Sequence, residues 1–246
     1  EALHATNEKP LDFSITKNVF ALIFSAFIIF IIFVSTAKFY NKNGNVAPRG
    51  LAGFMEPLVV FVRDEIAIPN IGEKKFAKFL PYLLTVFFFI WVNNLLGLIP
   101  IFPGSANLTG NISVTLVLSF LTFIITTISG NKDYWKHVFN TPGVPWWLKY
   151  PLPLMPVVEF VGLLSKPFAL MIRLFANITA GHIIILSLVS LIFIFKSTAW
   201  AGLTVPFALF MNVLELLVAA LQAYIFTLLS ALFIGMAVEE HDEAHH

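Results

Sequence analysis

Apolar residues run along this chain in blocks far longer than a soluble core requires, and polar residues gather between the blocks. Residues 18–37, N-V-F-A-L-I-F-S-A-F-I-I-F-I-I-F-V-S-T-A, carry no charge. About 20 helical residues rise roughly 30 Å, enough to cross a bilayer. This predicts a first spanning helix. Residues 79–101 and 112–130 predict a second and a third. Two longer apolar segments follow, at 151–195 and 199–238. Fully helical, each would measure about 60 Å, roughly twice the hydrocarbon thickness. They must tilt steeply, break, or run partly outside the membrane, and Pro167 and Pro206 are candidate kinks.

The polar intervals fix an expected orientation. Residues 38–78 hold seven basic side chains (Lys38, Lys42, Arg49, Arg63, Lys74, Lys75 and Lys78). Their apolar middle is interrupted by Glu56, Pro57 and the Arg63-Asp64-Glu65 cluster. That reads as too broken to span, and as an amphipathic helix lying at the interface. Residues 131–150 combine Lys132, Lys136 and Lys149 with Trp135, Trp146, Trp147 and Tyr150, the composition of an interfacial belt. The 102–111 loop has no Lys or Arg. Positive loops stay cytoplasmic, so five spans place the N-terminus outside and the C-terminus inside. The expected division is an extracytoplasmic tail (1–17), spanning helices with the interfacial segment (18–150), a long helical hairpin (151–240) and a cytoplasmic tail (241–246). The first residue is Glu1, and no signal-peptide n-region or cleavage site is visible.

Composition agrees. The 246 residues are 58% hydrophobic and 12% charged, where a soluble domain carries about a quarter charged residues. The expected fold class is all-α and polytopic in a membrane. A net charge of +1 gives no basic face for nucleic acid, and the absence of Cys excludes disulfides, thiolate metal sites and Cys nucleophiles. The Ser and Thr residues of the third span (Ser113, Thr115, Ser119, Thr122, Thr126 and Thr127) can bond back to carbonyls of their own helix. His241, His245 and His246 read as a solvated tail rather than metal ligands, and neither metal nor cofactor is expected.

Candidate chemistry sits in the two long segments. Between Lys166 and Lys196 the only fixed charge is Arg173, and between Ser197 and Val238 it is Glu215. An ionisable side chain at bilayer depth costs about 2.5–3.5 kcal/mol on insertion scales, so such residues mark function. At about 100° per residue, Glu159 and Arg173 lie within roughly 40° of one another. Arg173 and Asn177 share a face, as do Glu215 and Gln222. His182 points away from Arg173, and if the two helices pack antiparallel it can approach Glu215.

The segment L-L-S-K-P-F-A-L-M-I-R-L-F-A-N-I-T-A-G-H resembles the signature of subunit a of rotary F-type ATP synthases. The last helix, L-Q-A-Y-I-F-T-L-L-S-A-L-F-I-G-M-A-V-E-E-H, and N-N-L-L-G-L-I-P at 93–100 are similar to that family too. The resemblance runs in order from about residue 50 onward. It implies a stationary, non-catalytic subunit beside a rotating c-ring with intramembrane carboxylates, held by peripheral-stalk b subunits in an energy-transducing membrane, most simply the bacterial inner membrane. It implies two aqueous half-channels separated by Arg173, with Glu159 at the cytoplasmic one and Asn177 and Gln222 near the Arg. Many relatives pair an acid on the first long helix with a His on the second. Here His182 and Glu215 exchange those places, and an outside-facing proton relay is still expected. Ala176 replaces a common Gly. A guanidinium keeps its proton, so it can attract a carboxylate's charged form without relaying the proton onward.

Rival readings fare worse. A secondary transporter using Arg173 to bind an anion predicts an internal repeat, and none is visible. There is no H-E-x-x-H or G-x-S-x-G of an intramembrane hydrolase, and no G-x-x-x-x-G-K-[ST] phosphate loop. A scaffold without an ion path leaves Arg173 unexplained.

Overall fold

A computed structural model describes residues 16–43, 47–98, 108–139, 154–195 and 200–239. Among them there is no strand, and five helices are long and apolar enough to cross a membrane. The chain is an all-α, polytopic membrane protein. Its helices are α1 (Lys17–Asn43), α2 (Leu51–Phe61), α3 (Ile68–Ile71), α4 (Phe76–Leu98), α5 (Ile112–Ser129), α6 (Lys132–Phe139), α7 (Leu154–Ile194) and α8 (Ala201–Val238), with a π-helical turn, Val62–Ala67, joining α2 to α3.

Helix α1 continues six residues past the apolar block of 18–37, to Asn43. Hydropathy reports where hydrocarbon ends, whereas backbone hydrogen bonds carry the helix on through Lys38 and Lys42. The two long segments are single helices of 41 and 38 residues, with Pro167 and Pro206 inside them. Neither proline breaks its helix.

The basic interval is more continuous than its charges predicted. Pro57 lies inside α2. The π turn then sorts its side chains. Val62, Ile66 and Ala67 are fully buried, while Arg63 and Asp64 pair at 2.6 Å on the exposed side. The hydrogen bond and charge of Arg63 hold the Asp64 carboxyl below its ordinary range. The cluster that looked like an interruption is the outer face of a helical path.

The most extensive helix contact is α4 against α8. On α8 the residues at Ala219, Ala223, Thr227, Ala231 and Gly235 are buried and recur every four positions. Such small-residue stripes let membrane helices approach closely. The large side chains of Leu83, Val86, Phe87 and Ile90 on α4 belong to the core against this surface, together with Leu170 and Leu174 of α7. Gly235 has the closest neighbour, since an added Cβ would overlap the backbone oxygen of Asn70 at the α3 crossing. The carbonyl end of α8 is capped from two sides. Lys75 Nζ and Asn131 Nδ2 donate to the Val238 carbonyl at 2.9 and 2.8 Å. A cation and an amide at a helix C-terminus satisfy its orphan acceptors.

Of the α5 hydroxyls, those of Thr115, Ser119, Thr122 and Thr126 bond back to carbonyls of their own helix. Ser119 donates to Leu116 O at 2.9 Å and Thr126 to Thr122 O at 2.8 Å. Thr122 also meets the Tyr82 hydroxyl of α4 at 2.7 Å, tying those helices together.

Candidate functional site

The site lies where α7 and α8 face one another above the packed core. On α7, Leu163, Leu170, Leu174 and Ile178 turn inward and are buried. The opposite side is uncovered and apolar, with Val161, Phe168, Ile172 and Ile183 exposed. Arg173 stands on this open side and is itself exposed. Among the described residues no acidic group pairs with it.

One turn on, Asn177 Nδ2 donates to Gln222 Oε1 of α8 at 3.0 Å. Gln222 is 2% exposed, and its Nε2 has no hydrogen-bond partner among the described residues. About 14 Å along α7 from Arg173, at 1.5 Å per residue, His182 Nδ1 lies 3.5 Å from Glu215 Oε1. That is ion-pair distance without hydrogen-bond geometry, and both Glu215 oxygens stay unpartnered among the described residues. Glu215 is 7% exposed. Gly181 makes room for it, because a Cβ there would lie 2.9 Å from Glu215 Oε1. An open cleft of about 330 Å³ lined by Asn177, Gly181, Met211, Leu214 and Glu215 leads to the carboxylate.

Behind Glu215 and Gln222 sits a second polar group. Asn94 donates from Nδ2 to Ala219 O of α8 at 3.2 Å, and Thr109 Oγ1 donates to Asn94 Oδ1 at 2.6 Å. Asn93 donates to Phe89 O, and its buried Oδ1 has no hydrogen-bond partner among the described residues. Ala219 falls between Glu215 and Gln222 on α8, so this group continues their polar side toward the start of α5.

The sequence pattern of the family described as ATP synthase A chain matches residues 19–235. The chain belongs to this family. ATP synthase subunit a from Chloroherpeton thalassium is 49% identical over 95% of the chain. ATP synthase subunit a 2 from Chlorobaculum tepidum is 51% identical over 95%, and ATP synthase subunit a from Myxococcus xanthus is 45% identical over 96%. The chain spans 70%, 66% and 78% of those relatives' own lengths.

The expected approach of His182 to Glu215 on antiparallel helices matches the 3.5 Å distance. Asn177 and Gln222 are joined directly across the helices. Arg173 shares the Asn177 end but not the bond, and His182 is two and a half turns away. Glu159 lies on α7, and its side chain is outside those described. The tail histidines also lie outside the described residues. Two participants escaped the sequence. Thr109 sits in a loop of Asn, Gly and Thr with nothing to single it out. Gly181 stands in A-G-H, but its reason, the Glu215 carboxylate on another helix, exists only in three dimensions.

Proposed function

We propose that this chain is the stationary, non-catalytic ion-conducting subunit of an F-type ATP synthase, placed beside a c-ring and held by peripheral-stalk b subunits. The observation that carries this reading is Arg173. It is a fixed cation, exposed on an uncovered apolar helix face, with no acidic partner among the described residues. A lone guanidinium facing hydrocarbon is costly, so its partner belongs to another chain. The names of the relatives agree with such a complex.

The mechanism follows from charge. A ring carboxylate nearing Arg173 is favoured as the anion and gives up its proton. Past the arginine it would meet lipid as an anion, so it must first be reprotonated. The Glu215–His182 pair serves the outside half-channel. A buried carboxylate whose oxygens have no hydrogen-bond partner among the described residues, beside a His and an open cleft, can take and pass a proton. The Asn93, Asn94 and Thr109 group extends that route, Glu159 serves the cytoplasmic half-channel, and the Asn177–Gln222 bond holds α7 and α8 in register beside Arg173. Each charge crossing 100 mV supplies about 2.3 kcal/mol. In this reading the 151–240 hairpin faces the ring, the N-terminus is outside and the C-terminus cytoplasmic, in a bacterial inner membrane.

The test is Arg173→Ala in the assembled complex. Proton-driven ATP synthesis should vanish while the chain remains in the membrane. Synthesis at the normal rate would remove the proposal.

A further inference from the structure

The last turn of α8 is held by three donors from two distant turns. Asn131 gives its backbone N–H to Ala237 O at 2.9 Å and its Nδ2 to Val238 O at 2.8 Å. Lys75 Nζ reaches the same Val238 oxygen at 2.9 Å. Asn131 also opens α6, because its carbonyl accepts from Trp135 N at 3.2 Å. The two side-chain donors lie 107 and 163 residues from Val238 in sequence. Water or a local cap would satisfy the final carbonyls of a helix. Donors brought from that far fix a position as well as an end.

The surface of α8 explains why its position needs fixing. Ala219, Ala223, Thr227, Ala231 and Gly235 form a shallow stripe. Thr227 and Ser230 return their hydroxyls to Ala223 O and Phe226 O of α8 itself. Packing on such a stripe opposes separation more than it opposes sliding or rotation. Directional bonds to other helices supply what the stripe lacks. Lys75, at the turn into α4, meets Val238 O, and Asn94, near the far end of α4, meets Ala219 O at 3.2 Å. The two contacts are 19 residues apart on each strand of the pair, 75 to 94 and 219 to 238. Helix α8 therefore runs in step along α4 and is pinned at two points roughly 28 Å apart. Gln222 lies inside the pinned stretch, and Glu215 lies one turn beyond it. A slip of one residue would move both by about 1.5 Å and turn them by about 100°. That would take Gln222 from Asn177 and Glu215 from His182.

We infer that Asn131 and Lys75 are positioning residues for proton transfer, setting the height and rotation of α8 and so the seats of Gln222 and Glu215 against α7. The inference rests on the proton route proposed above. To test it, Asn131→Leu and Lys75→Met are placed singly and together in the assembled membrane complex. Both remove a side-chain donor at nearly constant volume, and the Asn131 backbone bond and the Gly235 contact with Asn70 remain. Lys75→Arg, which keeps a donor and the charge, is the rescue. Electron cryo-microscopy of each complex gives the position of α8. Protons pumped per ATP hydrolysed in vesicles gives the coupling. A merely structural cap would change the amount of complex, lowering hydrolysis and pumping in parallel and leaving that ratio alone.

The double variant should part Gln222 from Asn177 beyond hydrogen-bond distance. It should lower the ratio by about tenfold, since a misplacement of about 1 Å can cost up to 10²-fold. Each single variant should do less, and Lys75→Arg should match the native chain in both readouts. If the double variant fails to assemble, the single variants carry the same comparison. An unmoved α8 would overturn the inference and leave the proton route untouched. A displaced α8 with a native ratio would overturn the positioning role and count against Glu215 and Gln222 lying on the route.

Discussion

The two halves of α8 obey opposite rules. From Ala219 to Val238 the helix is a packing element. Ala219, Ala223, Thr227, Ala231 and Gly235 admit neighbouring backbones, and Thr227 and Ser230 return their hydroxyls to Ala223 O and Phe226 O. From Ala201 to Leu217 large side chains such as Leu203, Leu209, Phe210 and Val213 stand exposed. Within that half Glu215 is buried beside His182, with neither carboxylate oxygen hydrogen-bonded among the described residues. One helix thus carries a densely packed region, where Gln222 Nε2 still lacks a hydrogen-bond partner among the described residues, and a region with an open apolar surface around the buried Glu215. Helix α7 repeats the contrast across its width, with Leu170 and Leu174 inward and Arg173 outward. Stability is concentrated on one side, which frees the other to hold groups that stability alone would not keep.

If that contrast is real, the largest loss should come from the packed half. Gly235→Leu forces a side chain into the Asn70 backbone, which cannot yield as a flexible side chain would. The expected cost is on the order of 4 kcal/mol or more, seen as loss of the chain from membranes on native gels. Gly162→Ala, which meets nothing within 4 Å, is the control and should assemble normally. Next comes the open half. Glu215→Leu should leave assembly intact but slow ATP-driven proton pumping by about 10²-fold, the usual weight of a positioned acid–base group. Pumping within twofold of normal would detach Glu215 from the route. A smaller effect is expected from Gly181→Ala. Its Cβ would press on the Glu215 carboxylate at 2.9 Å, displacing a movable group and not backbone. Pumping should fall several-fold with unchanged thermal stability. Smallest is Tyr82→Phe, which removes the bond to Thr122. It should lower stability by about 0.5–1.5 kcal/mol in thermal melts, without altering pumping.

Much of the membrane plan was legible in the sequence because hydrocarbon imposes a length. The apolar blocks predicted five spans, with ends that moved by a few residues where charged helix continued past the apolar block, as at Lys38 and Lys42. Helical arithmetic also anticipated the approach of His182 to Glu215, since it needs only angle and antiparallel packing. What stayed hidden depended on contacts between distant segments. The stripe from Ala219 to Gly235 reads as ordinary small residues until α3 and α4 are brought against it. Arg63, Asp64 and Glu65 looked like a break because charge in sequence does not reveal that Val62 and Ile66 turn the other way.

The central claim is that the Arg173 cation keeps two proton paths apart. The most direct measurement is passive proton flux through membranes holding the complex stripped of its nucleotide-binding head, comparing the native chain with Arg173→Ala under an imposed potential. The account predicts that the variant conducts protons freely while the complex can no longer couple that flow to ATP synthesis. Unchanged flux together with intact coupled synthesis would contradict it.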